Sequence, residues 1–313
     1  MKYLVTGSSG FIGSTLVQSL LSRGHEVIGV DCYTENYPRH IKEQNMRKLS
    51  LFESFTHLDS NVLELELGDI LEDVDAVFHL AGQASVHASW GDDFNLYTER
   101  NIDATQYLLR AALASGVSRF INSSSSSVYG RITSNSVNEL APTKPISPYG
   151  VTKLAAENLT SLYGSEFGLK TISLRYFTVY GPKQRPDMAF NKLISAGING
   201  SPFPLHGDGT QIRDFTYVED VVEANIAAAN MDFTPGTILN IGGGSPRSMI
   251  SVIHDVEEIL GVEINLSKQP LGPGNPKMTG ADCTKANEIL DWAPSMEFYD
   301  GLQNQVKWQL EQK

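Results

Sequence analysis

Cysteine is nearly absent from the 313-residue chain. Cys32 and Cys283 are its only two, too few for a disulfide framework, so a reducing compartment such as the cytoplasm is expected. The seven histidines form no His-x-x-x-His or similar cluster, which leaves no basis for a dedicated metal site. No stretch approaches the roughly 18 apolar residues of a membrane span. The N-terminus runs from Lys2-Tyr3-Leu4-Val5-Thr6 straight into glycine, so no signal peptide is expected. Positive charge is scarce. The formal net charge is −12, which argues against non-specific nucleic-acid binding and against an anionic membrane surface. A phosphorylated ligand would be held by a few local cations or backbone N–H groups. No internal repeat is evident.

What is present is a regular alternation. Strands are predicted at Lys2–Thr6, Glu26–Asp31, Val62–Glu66, Ala76–Leu80, Arg119–Ser123 and Lys170–Arg175, with helices over Phe11–Ser22, Ala104–Ser115 and Pro148–Tyr163. That is the pattern of an α/β fold with a doubly wound parallel (Rossmann) sheet. After Gly181 proline and glycine become frequent and the elements shorter. We place a boundary there: residues 1–181 form a nucleotide-binding domain and 182–313 mostly a smaller α/β substrate lobe. Residues 218–241, with a predicted helix over Val218–Asn230 and a strand over Thr237–Ile241, return to the first. A last helix is predicted over Ile250–Leu260.

Gly7-Ser8-Ser9-Gly10-Phe11-Ile12-Gly13 follows the first strand and opens the first helix. Small residues let backbone N–H groups approach a pyrophosphate, and the helix N-terminus favours its charge. Asp31 ends the second strand. A carboxylate there accepts ribose hydroxyls of NAD and repels the extra phosphate of NADP, and neighbouring Cys32 and Tyr33 offer no cation for that phosphate. A strand-end turn is the plainer alternative for Asp31.

Tyr149 and Lys153 stand four apart in Ser147-Pro148-Tyr149-Gly150-Val151-Thr152-Lys153. On a helix they share a face. A free phenol has a pKa of about 10, so roughly 0.1% is ionised at neutral pH. A neighbouring ammonium favours phenolate, which makes the pair a candidate general base for an alcohol.

The Gly-x-x-Gly-x-x-Gly spacing resembles that of the extended short-chain dehydrogenase/reductases, and motifs along essentially the whole chain agree. Gly68-Asp69-Ile70 resembles the adenine contact of that family, Leu80-Ala81-Gly82 its second cofactor loop, and Asn101 its helix asparagine. Ser123–Ser127 before Val128-Tyr129-Gly130 resembles its catalytic serine strand. The resemblance implies that NAD contacts Gly7, Gly10, Phe11, Ile12, Gly13, Asp31, Asp69, Ile70, Leu80, Ala81, Gly82, Asn101, Ser123, Tyr149, Lys153, Tyr176 and Thr178. It also implies that Tyr149, Lys153 and Ser125 are catalytic, although Ser124 or Ser126 could take the place of Ser125.

Arg175-Tyr176-Phe177-Thr178-Val179-Tyr180-Gly181-Pro182 and Gly207–Val218 are similar to segments of the nucleotide-sugar epimerases and dehydratases within that family. Gln184–Phe190 and Ala88-Ser89-Trp90-Gly91 with Asp93-Phe94 are similar to UDP-glucuronate 4-epimerases. The resemblance implies a UDP-sugar substrate held by Gln83, Ser124, Ser125, Thr178, Arg185, Met188, Phe190 and Arg213. Arg213 would pair with a phosphate, and Arg185 and Thr178 would face a C6 carboxylate. The alternatives are an ion pair of Arg213 with Asp214 or Glu219 and a solvated loop position for Arg185. His87 stands where the glucuronate group has arginine. The 4,6-dehydratases resemble one another in an Asp-Glu pair before Val-Tyr-Gly, where this chain has Ser126-Ser127.

The expected chemistry is oxidation at C4 of the sugar: Tyr149 takes the hydroxyl proton while Lys153 lowers its pKa and binds the nicotinamide ribose. Reduction from the other face would give epimerisation. Dehydration, including a 5,6-dehydration like that of tunicamycin biosynthesis, and decarboxylation branch from the same ketone. A non-catalytic NAD sensor is the remaining class. The resemblance further implies a homodimer packed through the helices holding Ala104–Ser115 and Pro148–Tyr163.

Overall fold

A computed structural model describes residues 1–132, 134 and 136–312. The first half alternates as follows: β1 (Lys2–Thr6), α1 (Phe11–Ser22), β2 (Glu26–Asp31), α2 (Arg39–Leu49), β3 (Phe55–Asp59), the short α3 (Leu67–Ile70), β4 (Ala76–His79), α4 (Phe94–Thr98), α5 (Ala104–Ala114), β5 (Arg119–Ser125), α6 (Pro148–Phe167) and β6 (Thr171–Tyr176). The second half adds β7 (Thr178–Tyr180), α7 (Ala189–Asn199), β8 (Phe203–His206), β9 (Ile212–Arg213), β10 (Phe215–Tyr217), α8 (Val218–Asn230), β11 (Thr237–Ile241), β12 (Arg247–Ser248), α9 (Met249–Leu260), β13 (Leu266–Gln269), α10 (Thr284–Leu290) and α11 (Phe298–Leu310).

Seven strands form one parallel sheet in the order β11-β6-β5-β4-β1-β2-β3. Its strands bury both faces, and alternate residues feed opposite layers. Tyr3, Val5, Phe78 and Ile121 pack towards α1 and α8, whereas Leu4, Val77 and Phe120 pack towards α5. The strand order reverses between β1 and β4, which opens a crevice above their C-terminal ends, where such sheets take ligands.

The smaller lobe has its own core, in which the Tyr180, Phe190, Phe215 and Phe298 rings pack together with the Phe190 and Phe215 centroids 4.7 Å apart. The chain between the lobes passes back and forth. Helix α8 and β11 belong to the main sheet layer, and Ala286, Leu290 and Trp292 of the 284–292 segment pack on that same core. No helix among the described residues is long and apolar enough to cross a membrane, and no group of three or more His, Cys, Asp or Glu among them could hold a metal ion.

One expected strand is displaced. Val62–Glu66 is not extended: Val62–Glu64 form a single 3-10 turn capped by Asn61, and the third strand is Phe55–Asp59. It pairs only with β2, at the edge of the sheet, so its residues are half-buried and lack a clean alternation.

Candidate active site

A cleft of about 380 Å³ runs along the C-terminal edge of the sheet and is floored by the loop after β1. Gly7 has φ +70°, and a Cβ there would meet the Ala81 nitrogen at 2.8 Å. A Cβ on Gly13 would lie 2.0 Å from the Gly7 oxygen. Only glycine lets the two loops and α1 close up in this way. Helix α1 opens at Gly10 without a side-chain cap, so its first N–H groups are free to serve an anion. Asp31 closes β2 at one end of the cleft, and Phe11, Ile12, Leu80, Ala81, Gly82, Ser123, Tyr176 and Thr178 line it. A dinucleotide fits these features: donors for the pyrophosphate lie at the middle, a carboxylate for a ribose at one end, and a phenol–ammonium pair at the other.

Asn101 lies in a single π-helical turn between α4 and α5. Its Oδ1 accepts from the Gln83 N–H (2.7 Å), and its Nδ2 donates to the Gln83 carbonyl (3.0 Å) and to Thr152 Oγ1 (2.9 Å). It therefore clamps the loop after β4 to α6, one residue from Lys153. Asp69 and Ile70 correct the sequence reading. They lie on α3, where Asp69 is exposed and Ile70 packs beneath α5. The cleft wall after the third strand is instead Ser60-Asn61-Val62. The motif was anchored on the wrong strand, so its contact was displaced along the chain.

Helix α6 begins as its sequence dictates. The Ser147 side chain accepts from the Gly150 N–H at 3.1 Å, Pro148 occupies the first turn, and Gly168 ends the helix at φ +70°. A Cβ on Gly150 would approach the Ser127 carbonyl to 2.6 Å. This close approach brings Tyr149, Lys153 and Glu157, on one face of the helix, against the serine strand. Tyr149 and Ser125 both face the cleft, and the Ser125 Oγ accepts from the Ser127 N–H (3.2 Å). Ser124, which also lines the cleft, donates its hydroxyl to Glu157 Oε2 at 2.6 Å.

Glu157 is held in turn by Arg175, through Nε at 2.9 Å and Nη2 at 2.6 Å. Arg175 Nη1 donates to Tyr129 Oη at 2.7 Å, and that hydroxyl donates to Asn240 Oδ1 at 2.7 Å. Burial lowers the Lys153 pKa to about 8, with the Glu157 charge opposing the shift. Burial raises the Tyr149 phenol above its ordinary value of 10, while the nearby Ser125 hydroxyl and the Arg185 charge pull it back. The expectation that Lys153 alone activates Tyr149 is thus incomplete. In this cleft desolvation dominates, and additional positive charge is needed to favour phenolate.

On the substrate side, Gln83, Thr178, Arg185 and Met188 line the cleft. Arg185 is bound by Asp187 through Nε (2.9 Å) and Nη2 (2.6 Å), which leaves Nη1 as its free edge. Gln83 receives Arg100 Nη1 on its Oε1 (2.7 Å) and donates to Asn36 Oδ1 (2.8 Å). Phe190 is a correction: it is 1% exposed and belongs to the core of the smaller lobe. Arg213 lies on β9, outside the residues that wall the cleft. Burial lowers its pKa, and no carboxylate pairs with it among the described residues. The alternative partner, Asp214, instead accepts from Gly243 N–H and Ala281 N–H, each at 2.8 Å. Sequence reasoning missed Lys42, Glu157 and Arg175. The spacing Tyr149–Lys153–Glu157 was the available sign for the second of these.

The profile of the NAD dependent epimerase/dehydratase family matches residues 3–242. The chain belongs to this family. An uncharacterized UDP-glucose epimerase, YtcB of Bacillus subtilis, is 41% identical over 98% of both chains. The UDP-glucuronate 4-epimerase of Thermodesulfobacterium geofontis is 35% identical over 99% of this chain and 96% of its own. Among solved structures, UDP-glucuronic acid 4-epimerase of Bacillus cereus, in complex with UDP-glucuronic acid and NAD, superposes with a TM-score of 0.97 at 40% identity over the full length of both. The cofactor is NAD, the dinucleotide for which the family is named and with which the Bacillus cereus enzyme was crystallised.

Proposed function

We propose that this protein is an NAD-retaining UDP-sugar 4-epimerase that acts on UDP-glucuronate. The observation that carries the reading is the meeting of Tyr149, Ser125 and Lys153 at one end of the dinucleotide cleft, with Ser126-Ser127 where 4,6-dehydratases resemble one another in Asp-Glu. The full-length likeness to UDP-glucuronate 4-epimerases supports the substrate. We also propose a homodimer formed through α5 and α6, and the scarcity of cysteine supports a cytoplasmic setting.

Tyr149 Oη takes the proton of the sugar C4 hydroxyl, and Ser125 Oγ holds the same oxygen. NAD⁺, when bound, would supply the hydride acceptor and further positive charge to the cleft. Lys153 binds the nicotinamide ribose and keeps its charge beneath the phenol. After the 4-keto sugar turns over, Tyr149 returns the proton as C4 is reduced on its opposite face. The free Nη1 of Arg185 and the Thr178 hydroxyl hold the C6 carboxylate, and Arg213 holds the diphosphate, which suits a guanidinium.

Incubating the purified protein with UDP-glucuronate and with UDP-N-acetylglucosamine separately, followed by NMR, tests this. The expected product is the C4 epimer, formed without added NAD and without net redox change. A product lighter by one water makes the enzyme a dehydratase, a pentose makes it a decarboxylase, and no turnover of either nucleotide overturns the reading.

A further inference from the structure

Asp187 stands behind Arg185. Its carboxylate grips the guanidinium side-on, with Oδ1 accepting from Nε at 2.9 Å and Oδ2 from Nη2 at 2.6 Å. Arg185 is one of the described residues that wall the cleft, and Asp187 is not. The loop that carries both is pinned at its start. Gln184 donates through Nε2 to the Val179 carbonyl (3.0 Å) and accepts from the Asn191 N–H on Oε1 (2.9 Å), while Asn191 Nδ2 donates to its carbonyl (2.7 Å). A turn closed by the Met188 N–H on the Arg185 carbonyl (3.1 Å) then brings Asp187 back against Arg185. The buried Tyr37 ring lies with its centroid 5.8 Å from the guanidinium carbon.

Two forks that meet in this way make the strongest pairing open to an arginine. A guanidinium has five N–H donors. Asp187 takes two of those on Arg185, which leaves both on Nη1 and one on Nη2. The three can still hydrogen-bond a carboxylate, but the charge behind them is already balanced. The Arg185 side chain is 18% exposed, so solvent screens that balance little. A uronate at C6 therefore meets fixed donors without the pull of an unpaired cation.

Epimerisation requires the 4-keto sugar to let go of its C6 contact and turn over. An unpaired cation in the cleft wall would hold a uronate in substrate and ketone alike, and binding that is uniform along the reaction lowers KM without raising kcat. We propose that Asp187 is a positioning residue that makes the uronate contact releasable: it fixes the guanidinium of Arg185 and balances its charge, so that the C6 carboxylate is recognised by hydrogen bonds and freed when the sugar turns. This rests on the assignment of UDP-glucuronate as the substrate. Asp187 also narrows the preference for a uronate over a neutral hexose, whose C6 hydroxyl finds the same donors.

The test measures binding of UDP-glucuronate and UDP-glucose by calorimetry in a Y149F background, which stops turnover, and kcat and KM for UDP-glucuronate by NMR in the otherwise native holoenzyme. D187N keeps the shape of the side chain and removes its charge. It should tighten UDP-glucuronate binding by about tenfold, leave UDP-glucose binding within about twofold, and lower kcat and KM together. D187E, which restores the charge, should return kcat and KM towards wild type. With R185M in place, D187N should no longer change UDP-glucuronate binding. D187S carries the same expectations as D187N if that variant does not fold. When wild type converts UDP-glucuronate, binding of it that is unchanged or weaker in D187N, an equal gain for both nucleotides, or an undiminished kcat overturns the proposal alone. Wild type that does not convert UDP-glucuronate overturns the substrate assignment, and the proposal with it.

Discussion

Ser124 donates its hydroxyl hydrogen to Glu157 at 2.6 Å, in the wall of the cleft. The bond ties the strand carrying Ser125 to the helix carrying Tyr149 and Lys153. Glu157 also opposes the burial of Lys153 with its charge. One buried carboxylate thus registers the two elements and sustains the ammonium between them.

Replacing that carboxylate is expected to move the alkaline limb of activity. Lys153 loses its proton as the pH passes about 8, so activity that needs its charge falls above that value. E157Q removes the anion that holds the pKa up, and the limb should shift to lower pH. The same change strands Arg175, a loss of about 3–5 kcal/mol for a broken buried pair. E157Q/R175M should recover much of the stability but not the pH limb. A pH–rate profile together with thermal unfolding separates the two effects. An unmoved limb in E157Q would remove Glu157 from any part in setting Lys153.

Y149F should lower kcat by about 10²–10⁴ while the protein still retains NAD. K153M should lower kcat and also weaken NAD retention, because Lys153 is assigned to both tasks. The measurement is turnover by NMR alongside the dinucleotide released on denaturation. Retention of wild-type kcat by Y149F would refute the assignment of the base.

His79 lies beneath the loop after β4. Its ring nitrogens contact Thr6 Oγ1 (2.8 Å) and Thr105 Oγ1 (3.0 Å), and burial lowers its pKa from 6.5 to about 3. Its folded pKa is depressed, so its contribution is fully present above about pH 6.5 and is lost as the pH falls towards 3. Between pH 7 and 5 that loss is about 2 kcal/mol. Urea unfolding at the two values should show the drop in wild type and a smaller one in H79N. Equal slopes would place the acid sensitivity elsewhere.

G150A tests the seating of α6. The added methyl would meet the Ser127 carbonyl, and relieving it is expected to cost about 1–3 kcal/mol. The displaced helix start carries Tyr149 away from Ser125, so kcat should fall more than NAD affinity. A wild-type kcat in a folded G150A would show that the spacing between helix and strand is not critical.

Much of this was legible in the residues because the buried strands and the α1 and α8 helices carry strong periodicity. Phe11–Ser22 and Val218–Asn230 have the bounds that their apolar spacing suggests. Helix α2 was not read. Its Arg39-His40-Ile41-Lys42-Glu43 start is almost wholly polar, and burial of Lys42 by Asp31 is a tertiary event without a local pattern. The edge strand β3 has weak alternation, whereas Val62, Leu63, Leu65 and Leu67 imitate a strand. That exchange moved the adenine contact onto Asp69 and Ile70. The serine run could not reveal which hydroxyl binds Glu157 until the strand fixed its phase. Phe190 followed a motif whose neighbours line the cleft, but its turn of α7 points into the smaller core.

The return of α8 and β11 to the main sheet has a consequence for dissecting the protein. Strand β11 covers β6, and the 284–292 segment packs on the same layer. A chain stopped at residue 181 would leave β6 as a naked edge, open to pairing with any extended peptide. The two lobes are therefore sewn together rather than strung in series. Neither is expected to fold as a detachable cassette, because each would expose surface that the other now covers.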